Sequence, residues 1–540
     1  ADIAAISPDG SRLAAGNRAG KFELWDLKNG QRLTSEDSRH MRDAAVVLAP
    51  TGVRATVIGQ DSISSWDATS GRRLHSFDLP RDTLYAHGHS SDGRYAVTFR
   101  LVGEEFHILI WDIATRKCLH TLRFPGGYRQ VTSAFSPDSS LLATWHPDKQ
   151  TFVRLWDVRS GKQIRSFEES KAGWPGKMKF ATDGKTLFVA GKRVVGYQVA
   201  TGKEVFSWRL KPPANPSGGR TAVVGGASMS EDDRLGWSTL AVSPEGTLIA
   251  ATPWPGSVGR GSKEDAIAWY EARTGKLLRR CVDPSTSPHL LKQLAFSADG
   301  QVLASSNGEI VHLWEVATSK LIHTFKGHQG QINSLVFSRD GRRLASASSD
   351  STVLIWAVAG QPAKATALTE AKLRECWNAL AGEDAARAHQ AVWTLIRAPR
   401  ESVPFLKSRL HPAKLRSREQ LDRWIQDLDA DAFDVRQKAA AELEKLDELA
   451  EPALRRALAN KPTLELRRRI EPMLAKLEAA IPSGDALRSL RAVRVLEHID
   501  PAKARRLLRE LAKGAEGASL TRAAQAALTR IDRPLSKATP

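Results

Sequence analysis

The sequence predicts a multidomain chain: an all-β array of repeated four-stranded units over residues 1–360, then an all-α repeat domain over 369–540. Three observations predict it. A Trp-Asp pair or its relic recurs eight times, at intervals of 41, 45, 45, 41, 72, 45 and 42 residues. A second turn signal, usually Asp-Gly, sits in register ahead of nearly every copy. Beyond Gly360 the apolar period changes from that of a strand to that of a helix.

The Trp slots are Trp25-Asp26, Trp66-Asp67, Trp111-Asp112, Trp156-Asp157, Tyr197-Gln198, Trp269-Tyr270, Trp314-Glu315 and Trp356-Ala357. Each follows a short strand pattern such as Val153–Leu155, and many precede a tight turn such as Ser160-Gly161 or Thr274-Gly275. Upstream, Pro8-Asp9-Gly10, Asp92-Gly93, Asp299-Gly300 and Asp340-Gly341 supply the positive φ that a two-strand turn demands. A small sheet with two uncovered faces cannot stand alone, so neighbouring copies must cover one another.

The fullest copy is Lys326–Val358. Ile332–Ser338 alternates and ends in Arg339-Asp340-Gly341, Arg343–Ser348 follows, and Asp350-Ser351 turns into Thr352–Trp356. This copy resembles a WD40 repeat, the four-stranded blade of a β-propeller, and about two thirds of the chain shares its pattern. The resemblance implies a propeller of about eight blade repeats, closing with seven or eight. It also implies a buried hydrogen-bonded network of His328, Ser348, Asp350 and Trp356. A Gly-His pair in the family's place is clear only at Gly327-His328, so the other blades are expected to be held mainly by packing.

Two segments break the rhythm. Residues 211–236, rich in Pro, Gly and Ser, fall between the fifth and sixth copies; residues 252–265 fall between two strands of the sixth. Long loops on a rigid scaffold are where binding concentrates. In the WD40 family both loop classes open on one rim, so the resemblance implies that these two meet beside the central channel. Trp254, stiffened by Pro253 and Pro255, is the expected anchor for a protein partner, with Arg260 and Lys263 as its charged rim.

Residues 361–368 read as a linker. Leu373, Trp377 and Leu380 then share a helical face that Gly382 ends, and Ala388, Val392, Leu395 and Ile396 form the next, stopped before Pro399. Ser417–Leu428 opens a further series, and Asp434-Val435-Arg436 with Ala439, Ala440, Leu443 and Leu446 resembles half of a HEAT-type repeat. Helices are also predicted near Pro452, Leu464 and Ala486, and a last one carries Ala523, Ala524, Ala527 and Ile531. The layout resembles large bacterial multidomain proteins with a WD40 propeller and a HEAT-like helical tail.

Composition narrows the function. Cys118, Cys281 and Cys376 show no ligand spacing, and so sparse and odd a count argues against a disulfide framework. That suits a reducing compartment and favours the cytoplasm. The chain opens on Ala1 inside a strand pattern, which predicts further sequence upstream, with room there for a targeting or membrane segment. Residues 361–540 hold 34 Lys+Arg against 25 Asp+Glu, and residues 1–360 hold 45 against 35, so the tail is about twice as basic per residue. Charge alone therefore allows a rival reading, a nucleic-acid-associated factor using the tail. Its runs Arg455-Arg456, Arg467–Arg469 and Arg505-Arg506, however, stand beside Glu451, Glu465, Glu471 and Glu510, and stacking aromatics are scarce there.

The chemical motifs are weak. Gly256–Lys263 lacks the Gly-Lys-Ser/Thr order of a phosphate loop and lies between strands, so no cofactor is expected. His87 and His89, at i,i+2 on an innermost strand, are weak metal candidates that need a third ligand; Glu104, Glu105 and His107 follow in the same copy. No nucleophile elbow and no acid–base pair at a defensible spacing occurs. The reading is a non-enzymatic protein–protein interaction scaffold, binding through propeller loops and the helical tail.

Overall fold

The alternating segments form eight antiparallel sheets in a computed structural model, which describes residues 3–17, 20–37, 45–49, 52–59, 61–90, 92–125, 131–145, 153–167, 177–191, 193–209, 237–253, 266–282, 291–360, 367–414, 417–499 and 501–532. Blade 1 holds β1 Ile3–Ile6, β2 Arg12–Gly16, β3 Lys21–Asp26 and β4 Gln31–Asp37. Blade 2 holds β5 Ala45–Leu48, β6 Arg54–Ile58, β7 Ser62–Asp67 and β8 Arg73–Asp78. Blade 3 holds β9 Thr83–His89, β10 Tyr95–Val102, β11 Glu105–Asp112 and β12 Lys117–Pro125. Blade 4 holds β13 Thr132–Phe135, β14 Leu141–Trp145, β15 Val153–Asp157 and β16 Gln163–Phe167. Blade 5 holds β17 Lys177–Phe180, β18 Thr186–Ala190, β19 Arg193–Gln198 and β20 Glu204–Arg209. Blade 6 holds β21 Trp237–Val242, β22 Leu248–Pro253, β23 Ala266–Glu271 and β24 Leu277–Val282. Blade 7 holds β25 Leu291–Phe296, β26 Val302–Asn307, β27 Ile310–Glu315 and β28 Leu321–Phe325. Blade 8 has three strands among the described residues: β29 Ile332–Phe337, β30 Arg343–Ser348 and β31 Val353–Ala357.

Within every blade the strands pair in chain order. The first strands form a closed circle: β1 packs on β5, β5 on β9, β9 on β13, β13 on β17, β21 on β25, β25 on β29 and β29 on β1. Lys177 and Lys179 tie β17 to β21. The ring therefore closes with eight blades around a central channel. Closure has its own contacts. Ala4 and Leu13 of blade 1 share a core with Ala345 and Ala347 of blade 8. Arg343 Nη1 donates to the carbonyls of Gly10 at 2.9 Å and Leu27 at 3.2 Å.

Apolar side chains from facing blades make the cores between them, as small sheets with two exposed faces require. Phe22 and Leu24 of blade 1 meet Val46, Val57 and Trp66 of blade 2. Ile58 and Ile63 of blade 2 meet Ala96, Leu109 and Trp111 of blade 3. The Asp-Gly turns take the expected backbone, with φ of 68° at Gly10 and 65° at Gly341.

The all-α region comprises α1 Glu370–Ala381, α2 Ala385–Arg397, α3 Pro399–Lys407, α4 Arg418–Asp427, α5 Phe433–Leu446, α6 Glu451–Ala459, α7 Leu464–Ala479, α8 Gly484–His498, α9 Pro501–Leu511 and α10 Ser519–Asp532. Thr369 and Asp384 cap α1 and α2, accepting from the amides of Lys372 and Arg387. Pro399, expected as a stop, also starts α3, because the first helical position needs no N–H. Two cores form. Leu380, Leu395, Leu406, Val495, Leu508 and Ala524 belong to one, and Leu421, Leu443, Leu454 and Ile470 to the other.

The chain divides into two compact units, Ala1–Trp314 with His323–Val358, and Glu315–Ile322 with Ala359–Arg533. Of the linker expected at 361–368, residues 361–366 lie outside the described residues. No helix among the described residues is long and apolar enough to cross a membrane.

Candidate functional site

Blade 8 carries the most developed polar network. His328 Nδ1 lies 3.0 Å from both Asp350 Oδ2 and Thr352 Oγ1, and its Nε2 lies 2.7 Å from Ser346 Oγ. Trp356 Nε1 donates to that same hydroxyl at 2.7 Å. Thr352 Oγ1 donates to Asp350 Oδ1, so the single Nδ1–H is shared between the carboxylate and the threonine oxygen while the serine proton goes to Nε2. Burial pushes the Asp350 pKa up, but donors from Thr352, Gln329 and His328 outweigh it and hold the carboxyl well below its ordinary range.

The linking serine is thus Ser346, not the Ser348 expected; the Ser348 hydroxyl instead accepts from the amide of Asp350 at 3.2 Å. Register gives the reason. Trp356 faces Leu344, so Ser346 is the diagonal neighbour on the same face, within reach of an indole. Ser348 lies four residues along, roughly 13 Å away at the usual strand rise.

The same diagonal recurs elsewhere. Thr98 accepts from Trp111 at 2.9 Å, Thr144 from Trp156 at 2.8 Å and Ser305 from Trp314 at 2.9 Å. These blades therefore keep a polar tie that the missing Gly-His pairs did not suggest. Where the diagonal residue is apolar, as with Ala15, Val57 and Val189, packing takes over. In blade 5 the Tyr197 hydroxyl is left buried with no partner among the described residues, and burial pushes its pKa up to about 12.

Blade 6 corrects the expected slot. A bulge precedes the slot residue in blades 1 to 5, and in blade 6 it falls between Trp269 and Tyr270. The slot is therefore Tyr270-Glu271, with Trp208 of blade 5 against Tyr270 at 5.3 Å. Trp269, one residue earlier, turns to the other face, where its Nε1 lies 3.3 Å from Cys281 Sγ.

A second repeated device went unread. Ser7, Ser90, Ser136, Ser297 and Ser338 each donate to the Asp two residues on, at 2.5–2.6 Å. Each also accepts from the amide five residues on, at 2.8–3.0 Å. The Ser-x-Asp spacing ahead of the hairpin was the available signal. At Asp9, burial raises the pKa, but donors from Ser11 and Ser7 bring it down to about 2.

The channel face carries His89. A cavity of about 290 Å³ is lined by Ile3, Val46, Gly88, His89 and Ser133–Phe135, from the inner strands of blades 1 to 4. His89 is exposed to it, and its Nδ1 lies 3.0 Å from the Ser90 carbonyl. The protein packed around the ring still lowers its pKa, burial being the main cause. The β9 register skips His87, so the strict alternation that placed His87 and His89 on one face does not hold across that bulge. The His87 side chain lies outside the described residues. His107 is not brought to them: it pairs with Glu105 at 3.0 Å on β11, two strands outward. Among the described residues no three His, Cys, Asp or Glu side chains converge as metal ligands.

Trp254, Arg260 and Lys263 lie outside the described residues, as do residues 211–236. In the helical region, described arginines pair locally: Arg455 and Arg522 with Glu451, Arg469 with Glu465, Arg506 with Glu510.

Comparison with known proteins agrees with the blade geometry. Residues 319–357 match the family model "WD domain, G-beta repeat". The chain is 34% identical over 137 residues to U3 snoRNP-associated protein-like EMB2271 of Arabidopsis thaliana, covering 25% of this chain and 27% of that protein. It is 27% identical over 252 residues to Periodic tryptophan protein 2 of the same plant, covering 46% and 24%. WD repeat-containing protein 1 of Xenopus tropicalis is 21% identical over 379 residues, covering 66% and 61%. The chain thus spans between about a quarter and three fifths of these relatives' lengths. The crystal structure of the C-terminal WD40 domain of Sif2 aligns at 12% identity with a TM-score of 0.48, covering 67% of this chain and 95% of that one. The chain holds an eight-bladed β-propeller, of which residues 319–357 match the WD40 repeat model, followed in sequence by a helical region.

Proposed function

We propose that the protein is a non-enzymatic scaffold that binds protein partners through loops at one rim of the propeller. The observation that carries this reading is the closed eight-blade ring, a rigid platform with one long insertion ahead of its sixth blade and one within it. Trp254 is the proposed anchor, with Arg260 and Lys263 around it. The helical region would add a second contact, where Phe433 and Leu464 stand exposed at the starts of α5 and α7. The nucleic-acid reading gains no support from the arginine runs, in which Arg455, Arg469 and Arg506 each pair with a glutamate of their own helix.

Trp254→Ala is the test. Partner capture from the native lysate should be lost while the thermal midpoint stays unchanged. A lowered midpoint, with capture intact per folded molecule, would reject the assignment of Trp254 as the anchor.

The antiparallel helix pairs are read as HEAT-like, on the apolar spacing of α5 and its neighbours. The bacterial multidomain type rests on the layout alone, since the relatives named above are eukaryotic. The proposed boundaries are 1–360, a linker at 361–368, and 369–540. Limited proteolysis should cut within 361–368 before either half; first cuts inside the blades or helices would count against these boundaries.

A further inference from the structure

The eight innermost strands carry an unbalanced charge. Read together, IAAI, AVVL, TLYAHGH, TSAF, KMKF, WSTLAV, LKQLAF and INSLVF contain three lysines and two histidines, but no Asp, Glu or Arg. These strands close the circle around the channel, and its described inner wall offers cations without a carboxylate of its own.

Lys177 and Lys179 concentrate that charge. They alternate with the buried Met178 and Phe180 on β17, so both ammonium stems leave the same face, and both residues are exposed. Lys177 Nζ donates to Thr239 Oγ1 at 3.3 Å, and Lys179 Nζ to the Val242 carbonyl at 3.4 Å. Each contact is long and uses one of three donors. No carboxylate pairs with either among the described residues. Burial within the ring lowers both lysine pKa values, and Lys177 adds to the effect at Lys179. Exposure to water and crowding by protein coexist here because the groups face the channel enclosed by the inner strands.

We propose that the central channel binds a small polyanion of the oligophosphate class through Lys177 and Lys179. Confined like charges with low-dielectric walls focus field lines and concentrate counter-ions. The two stems start roughly 6–7 Å apart at the strand rise, which suits separate phosphates of one chain. The donor set selects phosphate over carboxylate. Planar bidentate recognition of carboxylates calls for arginine, which the inner strands lack, whereas lysine serves tetrahedral phosphate as a point charge.

The test is calorimetric titration of the full chain with sodium tripolyphosphate, beside the variant Lys177→Met/Lys179→Met. Wild type should bind one equivalent and rise in thermal midpoint as the ligand is added. The double variant should bind about tenfold more weakly or worse, the loss of at least one charge-assisted hydrogen bond. Without ligand its midpoint should equal or exceed that of wild type, since two unpaired, crowded charges have gone. Equal binding by the variant would place the phosphate elsewhere and overturn the proposal. So would absence of heat at millimolar ligand, or tighter binding of oligoglutamate than of tripolyphosphate.

Discussion

Trp66→Ala should lower the stability of the propeller by about 3–5 kcal/mol, the range for removing a large buried aromatic side chain. Trp66 is 1% exposed. Its ring lies 4.3 Å from that of Phe22 on the preceding blade, and Leu24, Val46 and Val57 share the cluster. Alanine would leave a cavity between two blades, and the strand backbones on either side cannot collapse without breaking the ring. Trp356 should cost less despite its hydrogen bond to Ser346, because it is only partly buried. Arg342→Ala, at an exposed turn, should stay within about 0.5 kcal/mol of wild type. Chemical denaturation of the three variants checks this order. Equal midpoints for Trp66→Ala and Arg342→Ala would refute the load placed on the Trp slot.

The features read most securely from the sequence are those that local chemistry decides. Asp9-Gly10 and Asp340-Gly341 need only their own backbone to make a turn, and the slot spacing counts whole blades. What was misread depends on partners far along the chain. Trp269 and Tyr270 are both aromatic, and only a bulge, set by pairing with β24, decides which one faces Trp208. Ser346 and Ser348 lie on the same side of β30, and only the register with β31 selects Ser346. The skip at His87 has the same origin in the pairing of β9 with β10. Pro399, read as a stop, also opens α3, and α9, opening at Pro501, was not among the predicted helices. The repeat pattern marks the strand of the channel lysines as innermost, but their contacts across to β21 exist only once the ring is assembled.

The second large effect is expected inside the helical region, at Arg530. From α10, its Nε donates to Glu497 Oε1 at 2.6 Å and its Nη2 to Oε2 at 2.7 Å, a bidentate pair with α8. The side chains are 19% and 9% exposed. Most other ion pairs of this region sit at helix surfaces, where each contributes about 0–1 kcal/mol. Arg530→Met should instead cost about 2–4 kcal/mol, because it strands the Glu497 carboxylate in a poorly solvated place. Much of that loss is desolvation rather than the net contribution of the pair. Adding Glu497→Leu should therefore recover at least half of it, since two apolar groups then meet where two charges did. The measurement is a double-mutant cycle on the unfolding transition that carries the helical circular-dichroism signal. If Arg530→Met alone unfolds like wild type, water reaches Glu497 and the pair belongs with the surface ones. If the double variant is no better than the single, the lost packing of the arginine stem, not a stranded carboxylate, sets the cost.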